Sequence, residues 1–338
     1  MGNLNTSASS YPATLDTTGT LADGVNIDQI VAAHINGPTS ALIAIETELG
    51  TLPRGSSTDV KTRLNGFDTS VTTLTNAVAT INTNLTTLNL AAPNSYLSGL
   101  NISVATGSNT YSLNPGMATH VTTTIAMTLS SSLSKTTTTW AVGSGNGGLD
   151  TGVGAVSTWY HLYLIKRSDT AVVDSLFSLS AATPTMPASY TYKRRIGSAK
   201  TDLFGNWTAY LQNGDWFQWA VPLNDVNATA PGTAAVTRTL TVPTGVNVIW
   251  VGAADIESTT TGNHFVLITD LGTTDTTPST TVFTFKSNNG GSTNEGSTQL
   301  QVRTDTSAQV RSRTSLSDAA TVLNMVTSGW IDRRGRDN

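Results

Sequence analysis

The chain contains no cysteine. That absence excludes a disulfide framework, a thiolate zinc site and a thiol nucleophile. Charge is scarce as well: 12% of residues are charged, and the formal net charge is −4. A chain so composed offers no bulk basic field for nucleic acid. No apolar run approaches the roughly 18 residues needed to cross a bilayer, so membrane insertion is not expected. Residues 1–6 (Met-Gly-Asn-Leu-Asn-Thr) lack the charged and apolar regions of a secretory signal. Their formal match to a myristoylation pattern is one that a Thr-rich chain makes by chance. Aromatic residues are nearly missing from the first third. Of 7 Trp, 8 Tyr and 7 Phe, only Tyr11 and Phe67 precede residue 95. Large aromatics dominate core burial. A compact core is therefore expected C-terminally, and the first 95 residues must gain stability from a partner or from copies of themselves.

What fills the chain is hydroxyl: 61 Thr and 34 Ser among 338 residues. Thr is a β-former whose hydroxyl suits an exposed strand face, so the chain reads as mainly β. Residues 1–25 are the exception. Gly2, Pro12, Gly19 and Gly24 interrupt a Ser/Thr/Asn-rich stretch with no helical period, which reads as extended or irregular. A short amphipathic piece follows, with Ile27, Ile30, Val31 and Ile35 apolar, and Gly37-Pro38 is expected to break it. Thr39 or Ser40 can cap a second helix carrying Leu42, Ile45 and Leu49, which Gly50 can end.

The strongest signal comes next. Val60, Leu64, Phe67, Val71, Leu74, Val78, Ile81, Leu85 and Leu88 are spaced alternately four and three apart. This heptad period predicts a left-handed coiled coil, about 43 Å long over 60–88 at 1.5 Å per residue. Ser56, Ser57 or Thr58 can cap its start, with Asp59 in the first turn. A helix packed on its own domain usually shows a wider apolar stripe. The residues between are mostly Thr, Asn, Ser and Ala, and apart from Ala these are mediocre helix formers, so the helix needs its partners. The mixed a and d residues depart from the preferred dimer pattern and fit a trimer at least as well; the core rules alone do not decide. With little charge at e and g, a domain at the C-terminal end would enforce parallel strands.

From residue 91 the period changes to two. Strands are expected at 119–128, 137–142, 158–166, 171–179, 190–196, 207–211, 216–221, 236–242, 246–252, 264–269, 281–285, 299–303, 309–314 and 322–326. Asn213-Gly214 reads as a type I′ hairpin turn. Many short strands without intervening helices predict an antiparallel β-sandwich or jelly roll over 93–338, with a candidate seam near 222–235. The expected organisation is a segment 1–55 with short helices, a stalk 56–92 and a β head.

Two stretches carry a resemblance. Residues 10–16 (Ser-Tyr-Pro-Ala-Thr-Leu-Asp), 41–56 and 60–64 together resemble the N-terminal region of tailed-bacteriophage fibre and appendage proteins. Residues 158–165 (Thr-Trp-Tyr-His-Leu-Tyr-Leu-Ile), 184–198 and 201–202 are similar to a β-rich module at the C-terminal end of phage head-fibre and tail-fibre proteins. The string Tyr-Thr-Tyr-Lys-Arg-Arg-Ile-Gly at 190–197 is its most specific part. The resemblance implies a virion component, most often a homotrimer, and assigns no catalytic residue. On this reading Tyr11, Pro12, Leu15, Ile27, Ile30, Leu42, Ile45 and Leu49 anchor the chain on another virion protein, on tail, neck or capsid. The heptad residues trimerise it. The β head meets the host surface, or decorates the capsid with no receptor role.

No cofactor, metal or catalytic site is expected. His34, His120, His161 and His264 form no ligand spacing, and His161 reads as a packed strand residue. No G-x-S-x-G elbow occurs. The stretch 143–148 is Gly-rich but lacks the strand–helix context of a phosphate loop and reads as a flexible loop. A tailspike glycan depolymerase would need two suitably spaced carboxylates, and sequence cannot place Asp202, Asp215, Asp225, Asp255 and Glu257 relative to one another. The cluster Trp207, Tyr210, Trp216, Phe217 and Trp219 reads first as core. Its outward members, beside Asp215 and Asn213, offer a platform for host surface polysaccharide. The basic runs 193–195 and 333–336 read as solvated or inter-subunit faces, or as a contact for an anionic surface.

Overall fold

The computed structural model describes residues 28–51, 53–90, 93, 95–287 and 294–336. They belong to two compact units, Met1–Thr87 and Leu88–Asn338. The segment expected to be extended, 1–25, lies outside the described residues, and so does Ile27.

The first unit holds two helices among the described residues, α1 (Asp28–Leu49) and α2 (Val60–Leu90). The expected break at Gly37-Pro38 does not occur: Pro38 lies inside α1. Proline removes one N–H and crowds the carbonyl four residues back, which kinks a helix but need not end it. Gly50 closes the helix, its N–H donating to the Glu46 carbonyl at 2.9 Å. The cap of α2 is Asp59 rather than Ser56, Ser57 or Thr58. Its Oδ1 accepts the Thr62 N–H at 2.7 Å, and this bond holds the carboxyl below its ordinary pKa. Arg63 ties the preceding turn to the helix by donating to the Pro53 carbonyl at 2.7 Å. Along α2 the hydroxyls of Thr69, Ser70, Thr72, Thr73, Thr75, Thr80 and Thr83 each donate to the carbonyl four residues back. The polar faces of the helix therefore satisfy themselves with little charge.

The second unit is mainly β. Its strands are β1 (Leu97–Gly99), β2 (Ile102–Val104), β3 (Thr110–Leu113), β4 (Gly116–Thr119), β5 (Ala126–Leu129), β6 (Leu133–Thr139) and β7 (Asn146–Leu149). There follow β8 (Trp159–Arg167), β9 (Val173–Ser178), β10 (Tyr190–Lys200), β11 (Tyr210–Asn213) and β12 (Trp216–Thr229). The last are β13 (Val236–Thr239), β14 (Ile249–Ser258), β15 (Phe265–Thr269), β16 (Phe285–Lys286), β17 (Asn294–Arg303), β18 (Gln309–Thr314) and β19 (Thr321–Ile331). They form sheets in the orders β10-β8-β9-β7-β6-β3-β2, β11-β12-β19-β14-β17, β13-β18-β15-β16 and β1-β4-β5. Buried side chains from these sheets, among them Leu164, Trp219, Val310 and Met127, join in one continuous core. In β8 the alternate residues Tyr163 and Ile165 pack into a second cluster on the opposite face. The centre of that sheet is covered on both sides, which is why 162–165 is apolar without alternation.

Several expectations for this unit fail for identifiable reasons. First, 119–128 is two strands, because the His120 N–H turns back to the Ile125 carbonyl. Second, 222–229 is no seam but the second half of β12. Pro222 has no N–H to give the ladder, and the pairing of β12 with β19 is interrupted between Gln218 and Leu223. Third, the sheet of β8 is not purely antiparallel: β7 runs parallel to both β6 and β9.

The parallel strand explains the Gly-rich stretch, which is not a flexible loop. Residues 140–145 return the chain beside β6 and wrap around the ammonium of Lys135. Its Nζ donates to the carbonyls of Ala141 at 2.7 Å and Gly143 at 2.9 Å and pairs with Asp174 at 2.9 Å. Asp174 also accepts the Gly143 N–H at 2.8 Å. A side chain at 147 has no room, since a Cβ there would stand 1.9 Å from the Thr139 carbonyl oxygen.

His161 is packed in β8, as expected of it. It is 2% exposed, and its Nδ1 lies 3.0 Å from Ser198 Oγ. Burial, then the charge of Arg195, lowers its pKa to about 4. The unfolded chain takes up this proton first as pH falls. Stability from this group is therefore complete above about pH 6.5 and is lost progressively towards about pH 4, on the order of 2–3 kcal/mol. Urea unfolding at pH 7 and 4.5 should show that loss, and His161→Gln should flatten it.

Candidate functional site

The aromatic cluster divides sharply. β11 and β12 pair Tyr210 with Trp219, Leu211 with Gln218, Gln212 with Phe217 and Asn213 with Trp216. The two turn residues are thus Gly214 and Asp215, one position later than expected. Of the residues in this turn only Gly214, at φ 60, is left-handed, which is the pattern of a II′ turn rather than I′. Register then fixes orientation. Phe217 and Trp219 point inward at 0% and 2% exposure, joined by Tyr210 at 2% and Trp207 at 0%. Phe217 stacks on Trp330 with centroids 5.1 Å apart, and Trp207 meets Phe177 edge-on at 5.0 Å. Trp207, Tyr210 and Trp219 are core and cannot serve as a surface platform.

Trp216 points the other way and is 39% exposed. It borders a cleft of 340 Å³ on the outer face of the five-stranded sheet. Val251 and Ala253 of β14 form the floor, with Gln218, Gln299, Gln301 and Ser328 around it. Cross-strand pairing sets Gln301 opposite Val251 and Gln299 opposite Ala253. The ladder of β14 and β19 slips between Val251 and Gly252. Such a bulge bends the strand and opens a concavity. An indole face beside several amides, each both donor and acceptor, suits a neutral hydroxylated ligand such as a saccharide.

Of the candidate carboxylates, Asp202, Asp225 and Asp215 are held by other groups, and Asp255 and Glu257 stand side by side on β14. Asp202 accepts the N–H groups of Phe204 and Asn206 at 2.8 and 2.9 Å. Asp225 accepts Thr241 N–H and hydroxyl at 2.7 and 2.6 Å and bonds the Thr327 hydroxyl. Asp215 pairs with Arg334 and Arg336. Asp255 and Glu257 lie on β14, where Asp255, burial and Glu295 raise the Glu257 pKa. Among the described residues no group of three or more His, Asp or Glu is arranged to hold a metal ion. No described helix is long and apolar enough to cross a membrane.

Among the described residues the heptad positions of α2 form a continuous exposed apolar stripe. Val60, Leu64, Phe67, Val71, Leu74, Val78, Ile81 and Leu85 are 36% to 66% exposed on α2; Leu88 falls in its last turn. Of the anchor residues, Ile30 lies in α1, and Leu42, Ile45 and Leu49 are about half exposed. Tyr11, Pro12, Leu15 and Ile27 lie outside the described residues. No family model matches the chain, and no curated protein matches it.

Proposed function

We propose that this chain is a structural fibre of a tailed-bacteriophage virion. It associates with copies of itself through α2, docks by its N-terminal segment and carries the β unit outward for host-surface attachment. The exposed heptad stripe carries the reading. A soluble helix does not leave eight large apolar side chains in water along one seam unless a partner covers them. The seam's mixed residues fit a trimer at least as well as a dimer, and with little e and g charge to set orientation a C-terminal β unit would favour parallel strands. The β unit is read as a sandwich-type head, a non-enzymatic binder. Several heads on one stalk raise avidity for a repeated glycan.

Gold labelling of the β unit on intact particles tests this reading. Label at the tail or neck supports an attachment fibre. Label over the capsid assigns the chain to a head fibre or decoration protein, and particles without label refute it. The Trp216 cleft makes a second prediction. Trp216→Ala should weaken adsorption to host cells about 30-fold, the effect of losing one anchoring aromatic, with Tm unchanged.

A further inference from the structure

The two basic runs, far apart in sequence, meet in the fold, and within them Arg194, Arg195 and Arg334 are buried rather than solvated. Arg195 pairs with Asp332 through bonds of 2.7 and 2.6 Å. Arg334, 3% exposed, donates to Asp215 at 3.3 Å and to the carbonyls of Gly99 and Leu100 at 3.1 and 3.4 Å. Arg336 pairs with the same Asp215. Arg194 stands among them with nothing. It is 1% exposed, and its Nε, Nη1 and Nη2 are all shut from solvent without a hydrogen-bond partner. Its nearest charges are the like charges of Arg195, Arg336 and Arg334, which add to burial in lowering its pKa. Four guanidiniums thus share two carboxylates, Asp215 and Asp332.

This arrangement is strongly unfavourable as it stands. A lysine in such a place escapes by giving up its proton, but a guanidinium does not. A buried charge needs a counter-charge, and among the described residues two of these positive charges have no carboxylate to compensate them. The turn at 334–336 that covers Arg194 is itself strained, because Arg334 is left-handed at φ 54 without being glycine. A Cβ on Gly335 would stand 4.0 Å from Arg194 Nε. Arg334 and Arg336 also line a cleft of 380 Å³, together with Asn101, Asn213 and the carboxylate-bearing Asp215.

We propose that Arg194, Arg334 and Arg336 form a binding site for a divalent tetrahedral oxyanion, phosphate or sulfate, admitted from this cleft by displacement of the 334–336 turn. Planar guanidiniums bind such oxygens in bidentate fashion, and a divalent anion balances the four guanidiniums against the two carboxylates. The site is independent of the glycan cleft and of the stalk.

Thermal unfolding of the full chain, with inorganic phosphate or sulfate exchanged for chloride at constant ionic strength, tests the proposal. Saturating oxyanion should raise the wild-type Tm by about 5 °C, as expected for a ligand well above its Kd. Arg194→Met should lose that response, and without oxyanion it should be at least as stable as wild type. Equilibrium dialysis of the wild type against radiolabelled sulfate gives a measure that needs no variant, with one site per chain expected. No sulfate bound, no wild-type shift, or an equal shift in Arg194→Met overturns the proposal.

Discussion

With α2 as the proposed seam between copies, Leu74→Glu should leave the chain monomeric. Leu74 is a d residue of the heptad stripe and is 66% exposed on the single helix. In an assembled stalk every copy would place a carboxylate in the same core layer. Each such charge costs several kcal/mol to desolvate, and like charges have no partner there. The Thr- and Asn-rich helix has little intrinsic propensity to offset that loss. Sedimentation velocity should show a slower species at micromolar concentration, with lower helicity by circular dichroism. Thr73→Glu is the matched control. Thr73 sits at c, on the outer face, where its hydroxyl serves only the Thr69 carbonyl at 2.9 Å; this variant should sediment as wild type. The near-ultraviolet spectrum, which reports the tryptophans of the β unit, should be the same in all three. An assembled Leu74→Glu variant would mean that the stripe is not the seam.

Asp174→Ala should destabilise the β unit by about 3–5 kcal/mol, the cost of stranding a buried charge. Lys135 and Asp174 are 0% and 1% exposed, and burial already pushes the Lys135 pKa down against the pull of Asp174. Removing the carboxylate also frees the Gly143 N–H that it accepts. The return loop would lose its Gly143 tie to β9 and keep the Trp140 indole bond to the Ser175 carbonyl at 3.1 Å, while β6 would lose its ion pair to β9. A fall in Tm of roughly 10 °C follows for a unit of this size. The double variant Lys135→Met/Asp174→Leu should recover most of it, because neither charge is then left alone. A loss below about 1 kcal/mol in the single variant would show that the pair is not structural.

Much of this was readable in the residues, and the failures share a cause. The heptads of α2 were legible because the signal is local and repeated. The β unit was legible because alternation and the change of period at residue 91 are local too. Alternation along β12 separated Trp216 from Phe217 and Trp219, but which face is core, and hence that Trp219 is buried, came only from the packing. What stayed hidden depends on distant contact. β7 reads Asn-Gly-Gly-Leu, and it is a strand only because Lys135 and Asp174 hold the returning chain. Trp207 and Tyr210 resemble a sugar platform until another sheet covers them. Arg194 and Arg334 lie in runs that look solvated. Their burial comes from strands and turns some 140 residues apart, and no periodicity records it. Pro38 inside α1 belongs with these, since local rules place a boundary where the helix continues.

Sedimentation equilibrium of the 338-residue chain tests the central claim most directly. The account predicts a mass near three times 35.3 kDa, held across the micromolar range. A single species at 35.3 kDa under the same conditions would contradict it, because the apolar stripe of α2 would then have no partner among its copies.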